Sequence, residues 1–207
     1  MSNFYHALKA QNQLPFGAER YLALTNELSR LFDITQVVFY DSVKSISLDP
    51  TGYAKQQRFH ANLVKLVQNS KIMTRPLRYV VSIMEKDVEH AANAVGLPKN
   101  IHGQLYLFLK KLGLIKLSKE KGLDVLLVVG LIHAHKSRAF NQLILLSGDS
   151  DYVPAVQIVQ NEGGHVINLH AYAGSSSELR KACKEHILFA VDSGKIKLKR
   201  YENTATS

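Results

Sequence analysis

Apolar residues recur with two different periods along this chain, and the alternation of those periods predicts its elements. Within residues 18–32, Leu22, Leu24, Leu28 and Leu31 fall on one helical face with Glu and Arg opposite, which predicts an amphipathic helix. Residues 34–40 are β-branched and aromatic and close on Asp41-Ser42, as a strand ending in a polar loop does. After the turn Asp49-Pro50-Thr51-Gly52, Phe59, Leu63, Leu66 and Val67 return to helical spacing over residues 53–68. Residues 72–83 read as a strand broken at Pro76, because proline cannot donate to a ladder. Residues 85–96 and 102–114 read as two short helices punctuated by Gly96-Leu97-Pro98 and ended by Gly113.

The second half of the chain is more apolar. Residues 123–135 are so uniformly apolar that periodicity alone does not separate a buried helix from a strand. Residues 141–147 form a buried strand running into Gly148-Asp149-Ser150-Asp151. A helix follows over 153–161, announced by polar residues and Pro154 in its first turn and stopped by Gly163-Gly164. Strand 165–170, helix 175–185 and strand 187–191 complete the series. Strands alternating with helices in this way predict an α/β fold with a doubly wound, mainly parallel sheet. Residues 195–207, opening on Lys-Ile-Lys-Leu-Lys-Arg, are expected to be a basic, frayed tail behind a domain of residues 1–194.

Composition narrows the function. The 207 residues are 46% hydrophobic and 21% charged, which excludes a disordered chain. No apolar run approaches the roughly 20 residues that span a bilayer, and the first residues lack the pattern of a signal peptide. A single cysteine, Cys183, forms no internal bridge and suits a reducing compartment, so a cytoplasmic protein is expected. Lys and Arg outnumber Asp and Glu by 26 to 17, a net charge of +9, which favours a polyanion and nucleic acid before a membrane surface. That excess is spread over four stretches and points to no single patch.

In open α/β sheets, ligands bind beyond the carboxyl ends of the strands. Asp41, Asp149 and Asp151 all follow predicted strands. Two carboxylates held about 4 Å apart repel by about 4 kcal/mol at an effective dielectric near 20, so a site that gathers them takes up a proton or a cation. Mg²⁺ or Mn²⁺ suits such oxygen donors and can deliver water to a phosphodiester. Ser150 or Asp151 capping the following helix is the structural alternative.

Four runs in order resemble the NYN family of PIN-like nuclease domains: Lys121-Gly122-Leu123-Asp124-Val125, then Ser147-Gly148-Asp149-Ser150-Asp151-Tyr152-Val153-Pro154, then Gly164-His165-Val166, then Ser177-Glu178-Leu179-Arg180. Asn3-Phe4-Tyr5 is similar to the stretch after that family's first strand, and Val37 to Asp41 to its second. The resemblance implies a three-layer PIN-like fold, with a helical insertion around 85–120, that binds a divalent metal and hydrolyses RNA. It implies that Asp124, Asp149 and Asp151 are the catalytic and metal-binding carboxylates and that 123–135 is a helix presenting Asp124. Asn3, Lys121, Ser147 and Arg75 are the residues expected to hold RNA. A second copy of the chain stays open as a further partner.

The chain departs from the family pattern at acidic positions. The family's first strand and its Asp precede the residue matching Asn3, so both are expected to be absent unless the true start lies upstream. Gly130 stands where the family often has Asp, and Lys184-Glu185-His186 where another is usual. Loss of that strand, expected between 37–40 and 143–146, would leave backbone groups unpaired. An RNA-binding or regulatory module with an incomplete site, or a truncated inactive product, is therefore the alternative to an active ribonuclease. Other candidates have plain readings. The rings of His133 and His135 diverge on a helix, and Cys183 has no evident base. Tyr40, Tyr53 and Tyr79 suit packing as well as base stacking.

Overall fold

The computed structural model describes residues 17–81, 85–112, 116–119, 122–172 and 174–203. They form a mixed α/β structure in two compact units, residues 76–121 and the remainder. In the larger unit the order is α1 (Ala18–Ser29), β1 (Val37–Val43), α2 (Pro50–Leu66), β2 (Ser70–Pro76), then α5 (Leu123–Lys136), β5 (Leu143–Leu146), α6 (Val153–Asn161), β6 (Val166–Ala171), α7 (Ser177–Ala182), β7 (Glu185–Asp192) and β8 (Lys195–Glu202). The smaller unit holds β3 (Arg78–Val81), α3 (Glu85–Ala94), α4 (His102–Lys111) and β4 (Lys116–Lys119). There β3 and β4 pair antiparallel, Arg78 opposite Lys119 and Val81 opposite Lys116, so a two-stranded stem brackets the two helices.

A four-stranded sheet, in the order β5-β6-β7-β8, carries the larger unit. The β5–β6 and β6–β7 pairs are parallel and β7–β8 is antiparallel. Strand β6 is buried at every position, as a central parallel strand must be. Its alternate side chains enter two cores. Ile167, Leu169 and Ala171 join Ile187 and Phe189 of β7, Ile196 of β8, Phe39 of β1, Tyr21 and Leu24 of α1, and Leu63 of α2. Val166 joins Leu145, Leu131 of α5, Val156 and Val159 of α6, and Leu179 and Cys183. Phe189, Leu63, Ile167, Leu169 and Ile187 are all but inaccessible, each contributing about 1.5–3 kcal/mol by leaving water.

Strands β1 and β2 make a separate two-stranded sheet that begins with the amide of Val37 donating to the Asn69 carbonyl at 3.1 Å. Among the described residues β1 and β5 are not paired with each other, and β1–β2 stands apart from the four-stranded sheet. The segment around Asn3, which the resemblance places after the family's first strand, lies outside the described residues. No described helix is long and apolar enough to cross a membrane.

The expected frayed tail is corrected. Lys195–Glu202 is strand β8, in register with β7 from Asp192 opposite Lys195 to Glu185 opposite Glu202. Ser193 and Gly194, at φ 49° and 77°, supply the two consecutive left-handed residues of a tight two-residue hairpin. Ile196 and Leu198 then point into the core at period two, and it is this alternation within the basic run that makes it a strand.

Candidate active site

The carboxyl ends of β5 and β6 meet two loops whose backbones touch. A Cβ on Gly148 would lie 1.8 Å from the Gly174 carbonyl oxygen, so only glycine fits there, and the Ser176 amide donates to the Gly148 carbonyl at 2.9 Å. The Ser176 hydroxyl in turn accepts from the Leu179 amide and starts α7. The loop after β5 is also held from inside the sheet. Asn168, wholly buried in β6, donates from Nδ2 to the carbonyls of Leu145 at 3.2 Å and Ser147 at 2.9 Å.

On this frame the acidic loop turns sharply. The Asp149 amide donates to the Ser147 hydroxyl at 3.1 Å, and Asp149 Oδ1 accepts from the Asp151 amide at 3.0 Å. Asp149 thus caps the single 3₁₀ turn Ser150–Tyr152 that leads into α6. The expected capping of the following helix by Ser150 or Asp151 is corrected: α6 starts after Tyr152 without a side-chain cap, and Asp149 caps only the turn that precedes it. Ser147 is 2% exposed, so its expected contact with RNA is corrected: it positions the Asp149 backbone from within the protein.

Asp124 comes from the first turn of α5, where the helix dipole favours a carboxylate. The preceding Gly122, at φ 79°, supplies the left-handed entry. The Tyr152 hydroxyl donates to Asp124 Oδ1 at 2.7 Å. Because the Tyr152 ring is buried, this bond fixes the start of α5 to the end of the acidic loop. Asp124, Asp149 and Asp151 are themselves exposed. Among the described residues, however, no three His, Cys, Asp or Glu side chains are placed to hold a metal ion. Asp149 directs one oxygen to its own turn and Asp124 one to Tyr152.

The remaining candidates separate. Asn3 and Lys121 lie outside the described residues. Arg75 is exposed in β2. Asp41 is engaged inside β1, where its Oδ2 faces Gln56 Nε2 and His60 Nε2, both at 2.8 Å. At Gly130, a Cβ would sit 1.9 Å from the Tyr40 hydroxyl, so Tyr40 occupies the space an acidic side chain there would need. Burial raises the Tyr40 phenol and also pushes the Cys183 thiol up to about 12, which leaves Cys183 without thiolate character. Glu185 faces the opposite end of the sheet, in contact with Arg200 and, at 3.0 Å, His165.

Two residues of the rim escaped sequence reasoning. Tyr172, directly after β6, is 90% exposed and stands two residues before the glycine that touches Gly148. Only the strand end that carries it reveals it. Tyr152 had a signal, as the aromatic position of the acidic motif, but its partner lies 28 residues upstream.

The sequence model of the family described as NYN domain matches residues 53–190. An uncharacterized protein, y4oD of Sinorhizobium fredii (strain NBRC 101917 / NGR234), is 43% identical over 61 residues, 28% of this chain. The chain covers 28% of that relative's own length. No solved structure matches it.

Proposed function

We propose, from the premise that this chain belongs to the NYN domain family, generally nuclease-like ribonucleases, that it hydrolyses RNA phosphodiester bonds at the rim carrying Asp124, Asp149 and Asp151. The observation that carries the reading is the Tyr152–Asp124 hydrogen bond, which draws two distant acidic segments to one end of the sheet. The larger unit is assigned the family's three-layer PIN-like arrangement, and the protein the cytoplasm, where a lone buried thiol stays reduced.

The donor set suits Mg²⁺ or Mn²⁺ in one way. Mg²⁺ asks for one or two carboxylates plus waters and substrate phosphate rather than an all-protein cage. Among the described residues, Asp149 and Asp124 each keep an oxygen that accepts no hydrogen bond, and Asp151 keeps both. A bound cation would supply charge neutralisation on the scissile phosphate and acidify water. The chain's own part is to hold the carboxylates still, through Ser147, Asn168 and Tyr152, and to present Tyr172 as a ring on which a base can stack. In the hydrolysis, the water oxygen bonds to phosphorus as the bond to the bridging oxygen breaks. The water's proton passes to a rim carboxylate or solvent, and the leaving oxygen takes one from solvent.

RNA binding without hydrolysis is the second reading, favoured by the lack, among the described residues, of three ligands placed to hold a metal ion and by Tyr40 filling the space beside Gly130. The test is single-stranded RNA cleavage under Mg²⁺ and Mn²⁺ titration. Metal-dependent cleavage abolished by Asp149→Asn supports the hydrolase. Binding without cleavage at saturating metal selects the second reading, and cleavage surviving Asp149→Asn removes the rim as the site.

A further inference from the structure

The two faces of the β7–β8 hairpin differ in kind. Ile187, Phe189 and Val191 with Ile196 and Leu198 line the core. The residues between them, paired as His186 with Tyr201, Leu188 with Lys199, Ala190 with Lys197 and Asp192 with Lys195, share the other face. Among the described residues no helix covers that face along most of its length: Ala190, Asp192, Lys195, Lys197 and Lys199 are all exposed. Three lysines thus stand in single file on one strand, two residues and about 6.8 Å apart.

The file is ordered from below. His170 Nε2 and His186 Nδ1 lie 3.0 Å apart, the His186 ring stacks on Tyr201 at 4.8 Å and 13°, and Lys199 Nζ sits 5.2 Å from the Tyr201 centroid. This ladder of rings fixes Tyr201, and through it the ammonium of Lys199. The register also fixes where the file leads. Leu146, Leu169, Ile187 and Arg200 are level across the four strands, so Ser147 is level with Lys199, about 14 Å away across three strand spacings. Ala171 is level with Phe189 and Leu198, which puts Lys197 level with Tyr172. Lys195 lies beyond it, past the rim.

We propose that the open face of the β7–β8 hairpin, with Lys195, Lys197 and Lys199 in file, is a phosphate-binding track that leads single-stranded RNA to the rim of Asp149 and Tyr172. The track rests on the reading of the protein as acting on RNA. A straight file with this repeat meets consecutive phosphates of an extended strand, whereas those of a duplex curve away after one or two. One carboxylate interrupts it, because Asp192 Oδ2 holds Lys197 in an exposed ion pair. An arriving phosphate must displace that carboxylate, and so Asp192 weakens the track.

The experiment measures binding of oligouridylate to the full chain over a range of salt. Replacing all three lysines by Gln is expected to lower affinity about tenfold or more and to reduce the slope of log affinity against log salt by about 2, since each phosphate contact on a single strand contributes about 0.7. Asp192→Asn is expected to raise affinity, a gain that damaged folding does not produce. Unchanged affinity and slope in the triple variant, with Asp192→Asn also neutral, overturn the track and leave the lysines as guards of an edge strand. Equal lysine-dependent binding of a blunt RNA duplex or of phosphatidylserine vesicles also overturns it. Asp149→Asn separates the two readings. Lysine-dependent binding with no cleavage in any variant sustains the track and ends the hydrolase, while cleavage lost with Asp149→Asn but kept in the triple variant ends the track alone.

Discussion

Asn168 decides whether the acidic loop is held from inside the sheet, and replacing it gives two measurable signatures. Its side chain is wholly buried and its Nδ2 serves two carbonyls at the end of β5, while Oδ1 has no partner among the described residues. Asn168→Ala removes two hydrogen bonds of about 1 kcal/mol each and leaves a small cavity worth about 1 kcal/mol, offset by about 1 kcal/mol as the unpaired Oδ1 disappears. The net loss is about 2 kcal/mol, which for a chain of this size lowers Tm by about 4–8 °C. Asn168→Asp keeps the shape and reverses the chemistry. An ionised carboxylate there faces two carbonyl oxygens without solvent, so the introduced acid has a folded pKa well above the unfolded value of about 3.9. A raised folded pKa means stability that is present below the unfolded pKa and lost as pH rises towards the folded one. This variant is therefore expected near Asn168→Ala at pH about 4 and to fall by about 1.4 kcal/mol per pH unit above it, relative to wild type in the same buffers. Urea unfolding from pH 4 to 7 measures this. A variant that tracks the wild type in parallel across that range would show that residue 168 does not face the β5 carbonyls, and the account of how the loop is held would fail.

Two further outcomes follow from the rim and from the far end of the sheet. Tyr172→Ala is expected to weaken oligouridylate binding by about 1–3 kcal/mol with no change in Tm, because a ring exposed to solvent contributes nothing to the core, and Tyr172→Phe should keep the affinity. Fluorescence anisotropy reads this, and equal binding by the Ala variant refutes the stacking. The Arg200 guanidinium, and then His165, hold the Glu185 carboxyl below its ordinary 4.5. A depressed folded pKa gives stability that is complete above pH 4.5 and lost as pH falls through the folded value. Glu185→Gln is expected to cost about 1.5 kcal/mol at pH 7 and to flatten the acid limb below pH 4.5. An unchanged acid limb in urea unfolding would remove Glu185 from the fold's acid sensitivity.

Much of the fold was legible because burial writes its period into the chain. Leu24 and Leu28 on α1, the apolar run of β5, and Pro154 at the start of α6 needed only local rules. The acidic residues of the rim were legible for another reason: Gly148 and Asp149 sit in a run that a close backbone contact and a capped turn both demand. What was not legible depends on residues far apart in sequence. Nothing local to Tyr152 says that its hydroxyl reaches Asp124, and nothing local to Gly130 says that Tyr40 fills its side-chain space. Strand β4 was missed because Lys116-Leu117-Ser118-Lys119 is too short to show a period until β3 lies beside it.

The run Lys195–Arg200 shows how charge becomes chemistry. Read as composition, it is one of four basic stretches and contributes only to a net charge of +9. A tail with those residues would bind any polyanion weakly and in many arrangements, each contact offset by the entropy of ordering a free chain. Pairing with β7 removes that entropy before a ligand arrives, because Ile196 and Leu198 anchor the strand in the core. Pairing also sorts the charges: Arg200 turns inward to Glu185, while Lys195, Lys197 and Lys199 are left on the open face. The same six residues therefore contribute two apolar anchors and one partly buried ion pair to stability, and three aligned ammonium groups to recognition. The prediction that separates these contributions is Ile196→Asp. It should weaken RNA binding as strongly as losing the lysines, although every positive charge remains, since β8 detaches from the sheet. Protease nicking near residue 194 reports that detachment independently. Full RNA affinity in a chain cut readily at that turn would mean that net charge alone, and not the strand, attracts the ligand.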